Sequence, residues 1–169
     1  MASYPTSVKS FTTRLSGQTI APAHTNDLQD EVNAIETQLL AGVTSYTPTW
    51  TAASVNPTIG DGTIVGAYHQ VGTLVYFRIA LTIGSTTTTG TGAWSFTLPF
   101  TAVGAIGFPH GEAVIYDAGT GQLVAVATQE TTTKIFVIAH NTSTAAGPTV
   151  PITWAAGDVL AISGVYVKA

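Results

Sequence analysis

Residues 72–83, GTLVYFRIALTI, alternate along their whole length. Leu74, Tyr76, Arg78 and Ala80 fall on one face, and Val75, Phe77, Ile79 and Leu81 on the other. A period of two is the signature of an extended strand, because successive side chains leave a pleated backbone on opposite sides. Similar short segments follow at AWSFTLP (93–99), EAVIYDA (112–118), QLVAVAT (122–128), KIFVIAH (134–140) and VLAISGVYVK (159–168), and GTIVGAYHQ (62–70) precedes. Gly and Thr punctuate them: GDG (60–62) reads as a tight turn, and GTG (119–121) as a three-residue hairpin loop. Strands at this spacing without a helical period predict an antiparallel β-sandwich, jelly-roll-like in type. β-Branched Thr suits the outer face of such sheets.

One stretch breaks the pattern. DLQDEVNAIETQLLAG (27–42) carries Leu28, Val32, Ile35 and Leu39 at spacings of 4, 3 and 4, the seam of a coiled coil. Thr25 or Asn26 is the expected cap, with Asp27, Asp30 and Glu31 near the positive end of the helix dipole and Gly42 just past its end. The stripe is narrow, as a helix meeting copies of itself requires; a helix docked on its own domain shows a wider apolar face. About two heptads are marginal alone, and Glu31 would face Glu36 across the seam. The rest of the assembly must supply most of the stability. The expected organisation is an extended anchoring arm (1–25), a coiled-coil helix (26–42), a linker containing Pro48 (43–49) and a β-sandwich head (50–169).

Composition narrows the function. Only 8% of the 169 residues are charged, against about 25% in an average soluble domain, and the mean hydropathy is +0.33. Yet no apolar run approaches the roughly 20 residues of a membrane-spanning helix. The apolar surplus therefore points to burial between subunits. Five dispersed bases (Lys9, Arg14, Arg78, Lys134, Lys168) and a net charge of −4 give no footprint for nucleic acid. The absence of cysteine excludes disulfides and thiolate sites.

No catalytic signature is present. His24, His69, His110 and His140 are scattered without ligand spacing, and Asp61, Asp117 and Asp158 lie beside turn glycines, where Asp bonds nearby backbone N–H groups. Trp50, Trp94 and Trp154 could stack on sugars if exposed, but their large apolar area favours core or intersubunit packing. NTS (141–143) reads as loop polarity. The expectation is no catalytic residue, no metal site and no cofactor.

The segment SFTTRLSGQTIAPAHTNDLQDEVNAIETQLL (10–40) resembles the N-terminal part of tailed-bacteriophage virion surface proteins, which place an arm and helix before a β-rich head. YTPTWTA, PTIGDGTIVGAYHQVGTLVYFRIALTIGSTTTTGTG, WSFTLPF and WAAGDVLAISGVYVK resemble heads of that group, so the likeness spans nearly the whole chain. It implies a homotrimeric structural protein on the virion surface, on tail or capsid. Its arm, with Lys9 and Arg14, would hold other phage structural proteins, Leu28, Val32, Ile35 and Leu39 would form the trimer seam, and the head would face outward toward a host glycan or protein. The alternatives are a capsid decoration or head fibre that stabilises the shell, and, less favoured, a small glycan-degrading tail enzyme.

Overall fold

The computed structural model describes residues 16–19, 21–104, 109–129, 131–139 and 144–169. The chain divides into two compact units at Gly42/Val43.

Among its described residues the first unit holds one helix, α1 (Pro22–Leu39). It starts earlier than the expected cap at Thr25 or Asn26. Pro22 occupies its first position, where a missing N–H costs nothing because the first turn has no internal acceptor for it. Thr25 Oγ1 donates to Pro22 O (2.8 Å) rather than capping a later start. The shift leaves no acidic residue in the first turn, so Asp27, Asp30 and Glu31 sit farther from the positive end of the dipole than expected. Ala34 is the buried apolar residue of the helix, at 2% exposure.

The second unit is antiparallel throughout. Its strands are β1 (Thr44–Tyr46), β2 (Trp50–Ala52), β3 (Thr63–Val71), β4 (Leu74–Thr82), β5 (Trp94–Thr97), β6 (Pro109–Asp117), β7 (Gly121–Gln129), β8 (Lys134–Ala139) and β9 (Val159–Val167). They form one continuous sheet in the order β1-β3-β4-β9-β6-β7-β8-β5-β2. The expected antiparallel β class is what forms, its strands hydrogen-bonded in one continuous order. Residues 43–49, read as a linker, contain the edge strand β1. Three residues lie too close to a turn signal for alternation to register.

The topology dictates the shape of this unit. β1 and β2 occupy opposite edges of the sheet, yet only residues 47–49 join them. Four Cα steps span at most about 15 Å, so the sheet must curl until its edges meet. Thr97 holds them there: its N–H donates to Thr49 O (3.1 Å) and its Oγ1 accepts from Thr49 N–H (2.8 Å). Tyr46 Oη on β1 also donates to Thr97 O (3.4 Å). Gly66 makes this closure possible, since a Cβ there would lie 2.5 Å from the Tyr46 ring and 2.8 Å from Pro48.

The concave face encloses one core. β4 contributes Val75, Phe77, Ile79 and Leu81, β9 contributes Leu160, Ile162 and Tyr166, and β8 contributes Ile135 and Val137. One end is aromatic. Trp94 meets Trp50 edge-on (4.8 Å, 87°) and lies 4.9 Å from Trp154. Trp94 Nε1 donates to Thr89 O and Trp154 Nε1 to Gly147 O, both at 2.9 Å. All three tryptophans are thus spent on packing within the chain, and sugar stacking on them is ruled out by burial.

The turns follow their residues. β3 and β4 are joined by Gly72 and Thr73, with Gly72 at φ +60°, a conformation two-residue hairpins demand. The β6–β7 loop is Ala118–Thr120, one residue earlier than the GTG reading, with Gly121 pairing Asp117. Gly111 marks a register shift in β6, where any Cβ would collide with the Ser163 backbone on β9.

Candidate functional site

The seam residues on α1 are uncovered within the chain: Leu28 is 53% exposed, Val32 45%, Ile35 43% and Leu39 61%. By helical geometry Ala34 lies more than a third of a turn away from this stripe. The arm residues Lys9 and Arg14 lie outside the described residues, as do His140 and the NTS segment, and the side chains of His24 and His110 are likewise not described. Among the described residues no group of three His, Asp or Glu side chains could hold a metal.

The carboxylates in the turns are structural ties. Asp61 accepts from Thr86 N–H (2.7 Å), Ser85 Oγ (2.7 Å) and Thr86 Oγ1 (2.8 Å), binding the 60–62 turn to the 85–88 loop. These bonds, led by the Thr86 backbone N–H, hold its carboxyl well below the ordinary carboxylate range. Asp117 is lowered in the same sense, first by Thr120 Oγ1 (2.7 Å) and then by Gly119 N–H (2.8 Å). Both folded-state pKa values lie below their unfolded values, so their contribution is complete above about pH 4 and is lost as pH falls below it. A thermal-melting series from pH 5 to pH 2 should therefore show falling stability, with a flatter profile for Asp61→Asn, which has no charge to lose. An equally steep profile in the variant would show that Asp61 contributes nothing to the acid limb.

Asp158 is different, being only 2% exposed. Its carboxylate accepts from Ala118 N–H (2.9 Å) and Ala155 N–H (2.7 Å), joining the β6–β7 turn to the approach to β9. At the other end of β9, Tyr166 Oη both donates to Phe100 O and accepts from Phe100 N–H, each at 3.0 Å. Burial, partly offset by the hydrogen bond from Phe100 N–H, pushes this phenol up to about 12. These groups are satisfied where they stand and aim no reactive atom outward.

What the body does present is an apolar outer face. The strands β3, β4, β9 and β6 are neighbours, and their convex side bears Val65, Leu74, Tyr76, Val114, Val165 and Val167, each at least 37% exposed. Strand register sets the rows. Val71, Leu74 and Val167 align across three strands, and His69, Tyr76 and Val165 form the next row. Ala67, Arg78, Ser163 and Glu112 follow, then Val65, Ala80, Ala161 and Val114. The small residues of the last two rows leave a shallow groove of ≈ 510 Å³, flanked by Tyr76 at one end and by Val65 and Val114 at the other. Exposed apolar patches of this extent on a sheet mark interaction surfaces. The alternation in 72–83 showed two distinct faces but not that both were apolar enough to be buried.

Over 122 residues, 72% of its length, the chain is 31% identical to a protein of Haemophilus influenzae named Mu-like prophage FluMu defective tail fiber protein. The chain is similar to a phage tail fibre protein. It spans 20% of that relative's length. No protein-family profile matches the chain, and no solved structure matches it.

Proposed function

We propose that this chain is a non-catalytic structural component of a bacteriophage tail fibre and works as a homotrimer on the virion surface. The likeness to a named tail fibre protein carries the reading, and it favours the tail over capsid decoration. The exposed 4-3-4 stripe on α1 and the apolar convex sheet agree with it, because both offer surface for association. In this reading the arm, through Lys9 and Arg14, holds other virion proteins, and Leu28, Val32, Ile35 and Leu39 form the trimer seam. The β body is displayed toward a host glycan or protein. No cofactor or metal is required for any of these roles.

Sedimentation equilibrium of the purified chain should give a mass near three chains at micromolar concentration. A monodisperse monomer would overturn the trimer. The double variant Leu28→Asp with Ile35→Asp should weaken association by at least about tenfold, because charges placed in an apolar seam lose their hydration without gaining partners. Unchanged association of that variant would remove the helix from the seam. Imaging labelled chain on virions tests the location: label on the capsid rather than the tail would overturn the tail assignment.

A further inference from the structure

We infer that the convex face of β3, β4, β9 and β6 is where copies of this chain meet, with Arg78 of one copy paired to Glu112 of the next. The inference rests on, and deepens, the self-association in the proposed function.

Size is the first argument. Four strands about 4.8 Å apart, each nine residues long at about 3.3 Å per residue, present a footprint on the order of 570 Å². Shared between two neighbours in a ring, it buries about 570 Å² at each contact and about 1,700 Å² in a closed ring of three, so it adds to the helix seam rather than standing alone. The footprint is apolar on both sides of its centre, through Val65 and Val114 in one direction and Tyr76 and Val165 in the other. A water-facing sheet surface ordinarily carries polar side chains on alternate positions. Here Val65, Leu74, Tyr76, Val114, Val165 and Val167 take such positions around the central charged row.

Charge argues for the occupant. The central rows contain one cation and one anion, Arg78 and Glu112, each register-paired to Ser163 between them. Both are exposed, and neither has an ion-pair partner among the described residues. A saccharide would need several converging polar groups, and a foreign protein would need opposite charges at this same spacing. A second copy carries them already. Arranged cyclically, each copy gives Arg78 to one neighbour and Glu112 to the other, so every charge is answered. Gly66, Ala67, Ala80 and Ala161 keep the intervening surface low enough for close approach. The helix seam and this face are then two separate contacts of the same assembly.

The test uses full-length chain and sedimentation or light scattering over a concentration series. Arg78→Glu and Glu112→Arg, made singly, should each raise the concentration for half-association by at least about tenfold, since like charges would now oppose one another. The double variant should return to the wild-type value. Mixing the two single variants should also restore association above either alone. A mixed assembly contains opposite-signed contacts between copies, whereas a pair within one chain stays broken in both variants. Rescue on mixing supports the face whether the mass is two chains or three, and a mass of two would overturn only the trimer. Wild-type association that the single variants leave unchanged overturns the face and leaves the trimer standing. Wild-type chain that stays monomeric at every concentration overturns both. Circular dichroism of each variant separates lost association from lost folding, and Val165→Ser provides a second, uncharged variant expected to weaken association.

Discussion

Trp94→Ala should destabilise the β body by about 3–5 kcal/mol, the range for removing a buried large aromatic. Trp94 is fully buried and sits between Trp50 and Trp154, with ring centroids 4.8 and 4.9 Å away. Three losses combine. The removed ring leaves a cavity that neighbouring strands cannot close, because β5 is tied to β2 on one side and β8 on the other. Each aromatic pair contributes about 0.5–1.5 kcal/mol beyond burial. Thr89 O also loses its Nε1 donor. The damage reaches beyond the core, since Thr97 at the end of the same strand holds the two sheet edges together. Chemical denaturation followed by circular dichroism, at fixed protein concentration because association adds to apparent stability, checks the value. A loss under about 1 kcal/mol would mean that the aromatic cluster is loosely packed. Trp50 offers an internal comparison: its Nε1 is buried without a hydrogen-bond partner among the described residues, so Trp50→Phe should cost less than Trp94→Phe.

Asp158→Ala should be the next most damaging change, at roughly 1–3 kcal/mol, because it removes a buried carboxylate that accepts two half-buried backbone hydrogen bonds. The donors, Ala118 N–H and Ala155 N–H, belong to turns far apart in sequence. Their common acceptor fixes where β9 enters the sheet, next to Ile83, whose N–H donates to Asp158 O (2.9 Å). Asp158→Asn retains one amide oxygen and should recover part of the loss. Amide hydrogen exchange gives a site-resolved check: protection should fall at Ala118 and Ala155 in the alanine variant. Unchanged protection at both would show that the carboxylate is not what holds these turns.

Much of the strand arrangement was legible before any coordinates. The alternating segments at 62–70, 72–83, 93–99, 112–118, 122–128, 134–140 and 159–168 became β3 to β9 with ends shifted by a few residues. They were readable because a pleated backbone enforces its period locally. The turn role of Asp117 was readable for the same reason, since Gly119 and Thr120 lie in the turn it opens; Asp61 stands in a turn as expected, but its carboxylate bonds Ser85 and Thr86 in another loop. The start of α1 was misplaced because Thr25 and Asn26 look like caps, whereas Pro22 is equally compatible with a first turn and opens the helix sooner. β1 went unseen because an edge strand of three residues has too few side chains to show a period.

The candidate site was less legible. The 4-3-4 stripe of α1 can be found by spacing alone. The convex apolar face cannot, because its rows join residues nearly a hundred positions apart: Tyr76 beside Val165, Arg78 beside Ser163. Nor does spacing tell which side of 72–83 turns inward when Leu74 and Tyr76 on one face are nearly as apolar as Val75 and Phe77 on the other.

By itself the sequence determined an antiparallel strand-and-turn body and a helix with an apolar stripe. Those follow from local backbone geometry and composition, which each segment carries alone. Only the tertiary structure decided that one sheet curls until its edges meet, that three distant tryptophans form one cluster, and that Arg78 and Glu112 stand in one row of an exposed apolar face. Those depend on which strands pair, and pairing is set by burial and hydrogen bonding between segments far apart in the chain.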